Sequence, residues 1–285
     1  MAKTFSVLHS ANIGDLVASL AGVRAVWEKT GAKCNYYQQL NVVGEYAFNA
    51  HHPTQNDGQK VMCNEKMFEM LAPLVRSQPY INKFEPYKGQ KIQVRLDNIR
   101  DETFVNMPYG AIQSWYAFAF PDMCWDISKA WVEVSHGTDA ITPQIKGKII
   151  LNFTDRYRNT FINYSFLKKY ENDLIFAGTV DEMIQFTKMW DLSIPYLQVD
   201  NFLELAVSLK SARFFMGNQS FCWNLNRAIN LPSILEMCHY APNCIPFVGN
   251  HNYGFYSQKG LEYYFQNLYK ITANDTSKRK SVRKG

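Results

Sequence analysis

The stretch Thr4-Phe5-Ser6-Val7-Leu8-His9-Ser10-Ala11-Asn12-Ile13-Gly14-Asp15-Leu16-Val17 decides how the whole chain is read. Its first six residues are rich in β-branched and aromatic side chains and predict a short buried strand. The strand ends where the polar Ser10-Ala11-Asn12 opens a loop. After Gly14-Asp15 the apolar residues Leu16, Val17, Leu20, Val23, Val26 and Trp27 recur at helical spacing until Gly31 stops the pattern. A strand, a glycine-containing turn and a helix are the opening unit of a parallel α/β sheet.

The same grammar continues along the chain. Cys34 to Tyr37 supplies a second strand, and Glu65 to Val75 a helix closed by Ser77-Gln78-Pro79. Residues 40–62, with His51-His52-Pro53 and Asn56-Asp57-Gly58, read as a long polar surface loop near a site. Between 86 and 135 lie a Lys/Gly-rich turn, the charged stretch Arg95 to Glu102, and an aromatic segment from Tyr109 to Trp131. Its rings suit either core packing or a platform for sugar rings or unstacked bases.

Lys146-Gly147-Lys148 then precedes Ile149-Ile150-Leu151-Asn152-Phe153, the first strand of a second sheet. Helices are expected near Tyr164 to Tyr170, at Val180 to Trp190, Asn201 to Lys210, Phe221 to Ile229 and Leu261 to Tyr269. Strands are expected at Leu174 to Ala177, Tyr196 to Val199, Arg213 to Met216 and Ser233 to Glu236. Two α/β halves therefore meet near residues 137–147. The first domain is 1–142 and the second 143–272, with a basic flexible tail over 273–285.

The 285 residues, 47% of them apolar, can build a core for each half. No apolar run approaches the ~18 residues that span a bilayer, and Met1-Ala2-Lys3-Thr4 leads into a strand rather than a signal segment, so the expected location is cytoplasmic. Six scattered cysteines with no CxxC pair match a reduced protein better than a disulfide-stapled or zinc-binding one. The net charge of +5 is local: Lys278, Arg279, Lys280, Arg283 and Lys284 carry it, and the remaining 25 basic residues balance the 25 acidic ones. Such a tail is a solvated terminus or a salt-sensitive contact for anionic partners such as nucleic acid or lipid headgroups.

Several classes of function are disfavoured by missing motifs. Neither HExxH nor Asp-x-Asp occurs, so no metal site is expected and a metal-dependent GT-A transferase is disfavoured. The Walker A pattern is absent, and no G-x-G-x-x-G follows the first strand, which disfavours a P-loop ATPase and an NAD enzyme.

Three segments, His9 to Leu20, Ile150 to Arg158, and Phe202 through Gly217-Asn218-Gln219-Ser220 to Pro232, together resemble the ADP-heptose lipopolysaccharide heptosyltransferases. These form glycosyltransferase family 9 of the GT-B superfamily. The resemblance implies an α/β GT-B fold, two Rossmann-like domains facing each other across a cleft, with the acceptor read by the N-terminal half and the nucleotide sugar by the C-terminal one. It implies an inverting, metal-independent transfer from a nucleotide-diphosphate sugar to an acceptor hydroxyl, on a glycan or on a hydroxylated DNA base, with no cofactor besides the donor. Where that family has Asp followed by Thr-Gly or Ser-Gly, and then a His, this chain has Asn218-Gln219-Ser220 and Trp223.

Inverting transfer needs a base for the acceptor proton and electrostatic help for the departing diphosphate. The resemblance makes Asp15 the base; by position alone it is equally a helix-cap acid. His9, Asn12 and Gly14 lie beside it on the acceptor side, His9 being as well suited to a structural hydrogen bond. Ser220 and its neighbours open a helix whose amides form an anion site, and Gly217 allows close backbone approach. Asn218 and Gln219 belong to the same donor loop, or are simple loop formers. Arg156 or Arg158 can clamp phosphates bidentately. Glu182 lies where the family places a carboxylate near the nucleoside, and also where a first-turn acid would favour its helix. The alternative function is a non-catalytic nucleotide-sugar or nucleic-acid-binding protein that retains the GT-B shell.

Overall fold

A computed structural model of the chain describes residues 3–44, 54–100, 110–134, 142–241, 244–246 and 251–281, with backbone alone at 100, 142 and 274–281. The His51-His52-Pro53 segment, Asp101-Glu102, Tyr109, residues 137–141 of the expected joint and the final Arg283-Lys284 lie outside these residues. The chain divides into two compact units. One comprises Met1–Val134 with Val199–Ala206, the other Ser135–Gln198 with Val207–Gly285.

The first unit opens as its sequence predicts, with strand β1 (Thr4–His9), helix α1 (Ile13–Thr30) and strand β2 (Lys33–Gln38). Helix α1 buries a continuous run from Gly14 to Val23 and ends at Gly31, whose φ of 71° is left-handed and whose N–H donates to the Trp27 carbonyl. Two-residue strands β3 (Gln55–Asn56) and β4 (Gln59–Lys60) pair inside the polar loop. Helix α2 (Glu65–Arg76) starts under an Asn64 cap, the side chain accepting from the Met67 N–H at 2.9 Å. Strands β5 (Ile81–Pro86) and β6 (Val94–Arg95) complete a parallel sheet in the order β5-β2-β1-β6.

Strand β5 escaped the sequence reading because Asn82, Lys83 and Glu85 dilute its two buried apolar residues, Ile81 and Phe84. The aromatic segment serves mostly as core. Helix α3 (Ile112–Ala119) buries Tyr116, and the buried Trp131 donates its indole N–H to the Val17 carbonyl at 2.9 Å, while its own carbonyl accepts from the Tyr80 hydroxyl. Arg24 lies over the Trp125 ring at 5.1 Å.

The second unit follows the short helix α4 (Thr142–Ile145). It contains β7 (Ile149–Asn152), β8 (Leu174–Phe176), α5 (Val180–Trp190), α6 (Phe202–Ser211, shared with the first unit), β9 (Phe214–Gly217), α7 (Phe221–Ile229), β10 (Ser233–Glu236), β11 (Asn252–Phe255) and α8 (Gln258–Ser281). All pairings are parallel, in the order β11-β10-β9-β7-β8. Strands β7 to β10 are buried throughout, as a sheet covered on both faces requires.

Two expected elements differ, one strand was not expected, and the last helix is longer than expected. The helix expected near Tyr164 to Tyr170 is a 3₁₀ segment over Ser165–Asp173. The strand expected at Tyr196 to Val199 shrinks to a single bridge from Tyr196 to Phe176, just after Pro195, which has no N–H to extend a ladder. Strand β11 went unread because Asn252 and Gly254 carry a loop signal. The last helix begins before Leu261 and its backbone remains helical to Ser281, across most of the expected flexible tail. No helix among the described residues is long and apolar enough to cross a membrane.

Gly217 closes β9 where a Cβ would lie 2.2 Å from the Asn152 carbonyl oxygen of β7 and 2.8 Å from the Phe215 ring. Both obstacles are parts of the sheet itself, so Gly217→Ala should lower unfolding stability by about 2–3 kcal/mol or more in urea titrations. A loss below about 0.5 kcal/mol, the size of a neutral surface change, would show that the strands are not so closely apposed.

Candidate functional site

In each unit the strand order reverses once, and the crevice beyond the carboxyl ends of the strands at a reversal is where open α/β sheets bind ligands. The reversal lies between β1 and β6 in the first unit, and between β7 and β9 in the second.

Beyond β1, the Ser10 N–H donates to Asp97 Oδ1 at 2.6 Å and so ties the loop after β1 to the turn after β6. His9 is buried, its Nδ1 2.9 Å from Gln38 Oε1 and its Nε2 3.4 Å from the Tyr116 hydroxyl. Tyr116 in turn donates to the Asp15 carbonyl at 3.1 Å. His9 is therefore built into the fold. Asn12 occupies the N-cap of α1 without a side-chain capping bond, and Gly14 and Asp15 lie buried in the first turn. That turn is where a helix favours a negative charge. Gln38 and Asp97 were not singled out by sequence, and Tyr116 only as one ring of the aromatic segment; they come from other elements, and no local pattern joins them to the loop.

Beyond β7 and β9 the central residue is Asn218, which is fully buried. Its Oδ1 accepts from the Thr154 N–H at 2.9 Å, and its Nδ2 donates to the carbonyls of Thr154 at 3.0 Å and Arg156 at 2.6 Å. Expected to touch a donor, Asn218 instead braces two loops together with its whole amide. Gly217 makes room for the Asn152 carbonyl of β7. Ser220 caps α7, its Oγ accepting from the Trp223 N–H at 3.2 Å, and Trp223 packs in the core near Phe215. Gln219 is half-buried in the same loop. Cys222 also lies in the first turn of α7, where a thiolate would be favoured, yet burial pushes its thiol up to about 12 and the neighbouring Glu182 adds to the effect. Desolvation wins, and Cys222 is a neutral packing residue.

Glu182 forms a capping box at the start of α5. Its Oε2 accepts from the Thr179 N–H at 2.9 Å, and its own N–H donates to Thr179 Oγ1 at 3.2 Å. Burial raises its carboxyl above the usual range; the Thr179 hydrogen bonds and then the charge of Arg156 oppose that rise. Arg156 is therefore within electrostatic reach of Glu182. Among the described residues its guanidinium makes no hydrogen bond or ion pair, while its carbonyl is held by Asn218.

Arg158 differs. Its Nε lies 3.1 and 3.2 Å from the two oxygens of Glu236, a carboxylate with 0% exposure at the end of β10. Glu236 also accepts from the Asn159 N–H and the Tyr164 hydroxyl. The Arg158 guanidinium rests against Phe153 and Tyr164 at 5.1 and 5.8 Å from the ring centroids. The tyrosine's own ionisation is pushed up, first by burial and then by Glu236. Of the two arginines, only Arg158 is paired with a carboxylate among the described residues. Among the described residues no three His, Cys, Asp or Glu side chains gather as a metal centre requires.

Two doubly wound parallel sheets in sequence, each with its candidate loop at the reversal of strand order, define the GT-B class of fold. In sequence the chain matches no protein-family model and no curated protein. Solved structures similar to it include E. coli ADP-heptose lps heptosyltransferase II, 11% identical over 94% of this chain and 99% of that one, with a TM-score of 0.56. E. coli heptosyltransferase WaaC with ADP is 10% identical over 93% of this chain and 100% of its own, at a TM-score of 0.59. The glycosyl transferase family 9 protein from Veillonella parvula is 10% identical over 91% and 87%, at 0.53. At such identities the likeness is one of fold, and the chemistry has to be argued from the residues.

The Arg158–Glu236 pair is the most buried ionic contact of the site. Removing its carboxylate by Glu236→Ala should destabilise the protein by about 3–5 kcal/mol, because a guanidinium and a buried hydroxyl lose their partner together. A thermal or urea measurement giving less than about 1 kcal/mol, the range of an exposed pair, would contradict the packing described.

Proposed function

We propose that the chain is a glycosyltransferase that moves a sugar from a nucleotide-diphosphate donor to an acceptor hydroxyl, with inversion and without a catalytic metal. The observation that carries this reading is the uncommitted guanidinium of Arg156 at the reversal point of the second sheet, in the loop tied to the start of α7. A planar cation and a helix N-terminus together suit a diphosphate. The fold supports the reading, since the similar structures are named as heptosyltransferases, one of them with ADP.

In this reading the diphosphate lies between Arg156 and the first-turn amides of α7, with Gln219 and Ser220 lining the loop. Glu182 faces the nucleoside, and Asn218 and Gly217 set the loop geometry. Asp15 takes the proton of the acceptor hydroxyl as its oxygen bonds to the anomeric carbon, and the bond from that carbon to the phosphate oxygen breaks. The electron pair leaves with the diphosphate, whose growing charge Arg156 and the helix end stabilise. His9, Asn12 and Gly14 lie beside Asp15 on the acceptor side. The acceptor is assigned to a glycan hydroxyl, the class that the names of the lipopolysaccharide enzymes suggest. A hydroxylated DNA base is the competing acceptor.

Calorimetry against ADP, UDP, GDP and their hexose conjugates tests the donor site. At least one diphosphate should bind, and Arg156→Ala should weaken it by about 10- to 100-fold. Asp15→Asn should leave donor affinity unchanged while cutting turnover by about 10²–10⁴-fold. Absence of binding by every diphosphate ends the proposal; binding with no turnover of any conjugate favours the non-catalytic reading. Transfer to hydroxymethylated DNA that disappears when residues 278–285 are removed would reassign the acceptor.

A further inference from the structure

Tyr157 stands between two anchored neighbours. The Arg156 carbonyl is held by Asn218, and Arg158 is held by Glu236. The loop after β7 therefore passes the carboxyl end of β9 and reaches that of β10, and the residue between the anchors takes a φ of 53°. A bulky side chain pays for left-handed backbone, and such a conformation persists only where its surroundings over-determine it. Its ring centroid comes to lie 6.4 Å from that of Tyr240, tilted by 50°, and His239 meets Tyr240 edge-on at 5.1 Å. Tyr240 is 38% exposed, a few residues beyond β10.

The order of strand ends gives these rings a place along a bound donor. Across the sheet the order runs β8, β7, β9, β10. Glu182 follows β8, Arg156 follows β7, α7 follows β9, and the tyrosine pair stands at the β10 side. A diphosphate over β7 and β9 with its nucleoside toward Glu182 directs its other substituent toward the rings. We propose that Tyr157 and Tyr240 form the subsite for the donor's sugar, resting on the donor reading given above. A pyranose presents a face of C–H groups whose partial positive charge suits the negative face of an aromatic ring. The left-handed backbone at Tyr157 is the device that turns the ring out of the loop toward that position.

The test compares, by calorimetry, a nucleoside diphosphate with its hexose conjugate, using whichever of ADP, UDP or GDP binds the wild-type protein. Tyr157→Gly removes the ring and also relieves the left-handed backbone, so its Tm should equal or exceed that of wild type. It should weaken the conjugate by roughly tenfold while leaving the free diphosphate within about twofold. Tyr240→Ala should act in the same sense, and Tyr157→Phe should keep most of the conjugate's affinity. Equal weakening of diphosphate and conjugate would assign the rings to the nucleobase and overturn the proposal, as would no change in either. Failure of every diphosphate to bind wild type would instead overturn the donor site itself.

Discussion

The amide of Asn218 is the contact on which the second unit's candidate site depends. A parallel sheet ends in loops that leave in divergent directions, and their backbone groups need partners once they are buried. Asn218, with no exposure, joins the loop after β9 to the loop after β7 through the Thr154 N–H and the carbonyls of Thr154 and Arg156. A buried amide with such a set of partners is costly to disturb, because each lost bond leaves an unsatisfied group in a low-dielectric interior. Its position is possible only because Gly217, the preceding residue, has no side chain to strike the Asn152 carbonyl.

A second anchor completes the frame. Glu236 gathers Arg158, the Asn159 N–H and the Tyr164 hydroxyl at the end of β10. The two anchors separate two arginines that look alike in sequence. One is neutralised inside the fold, and the guanidinium of the other makes no hydrogen bond or ion pair among the described residues. The same balance of burial against charge makes Cys222 inert at a helix start and raises Glu182 within its capping box.

Much of this architecture was legible from local signals. The strand-turn-helix at Thr4 to Gly31, the helices at Val180–Trp190 and Phe221–Ile229, and the strand at Ser233–Glu236 all appear where periodicity and capping residues placed them. Glu182 is the first-turn acid its position suggested, and Thr179 joins it in a reciprocal cap. Strands β5 and β11 were not legible, because polar residues or a glycine interrupt them and only their sheet neighbours make them strands. At the site, position in the loops could be read, but side-chain direction could not. Asn218 turned inward, and Arg158 found a carboxylate 78 residues away, a pairing with no local signature.

The fold supplies two sheets whose reversal points carry the candidate residues, and the proposed chemistry rests on a diphosphate bound by Arg156 and the start of α7. The most direct measurement is a crystal structure of the full chain soaked with the nucleoside diphosphate that binds it. Phosphate density within hydrogen-bond distance of the Arg156 guanidinium and of the first-turn amides of α7 is the expected result. A diphosphate seated elsewhere, with Arg156 pointing into solvent, would contradict it.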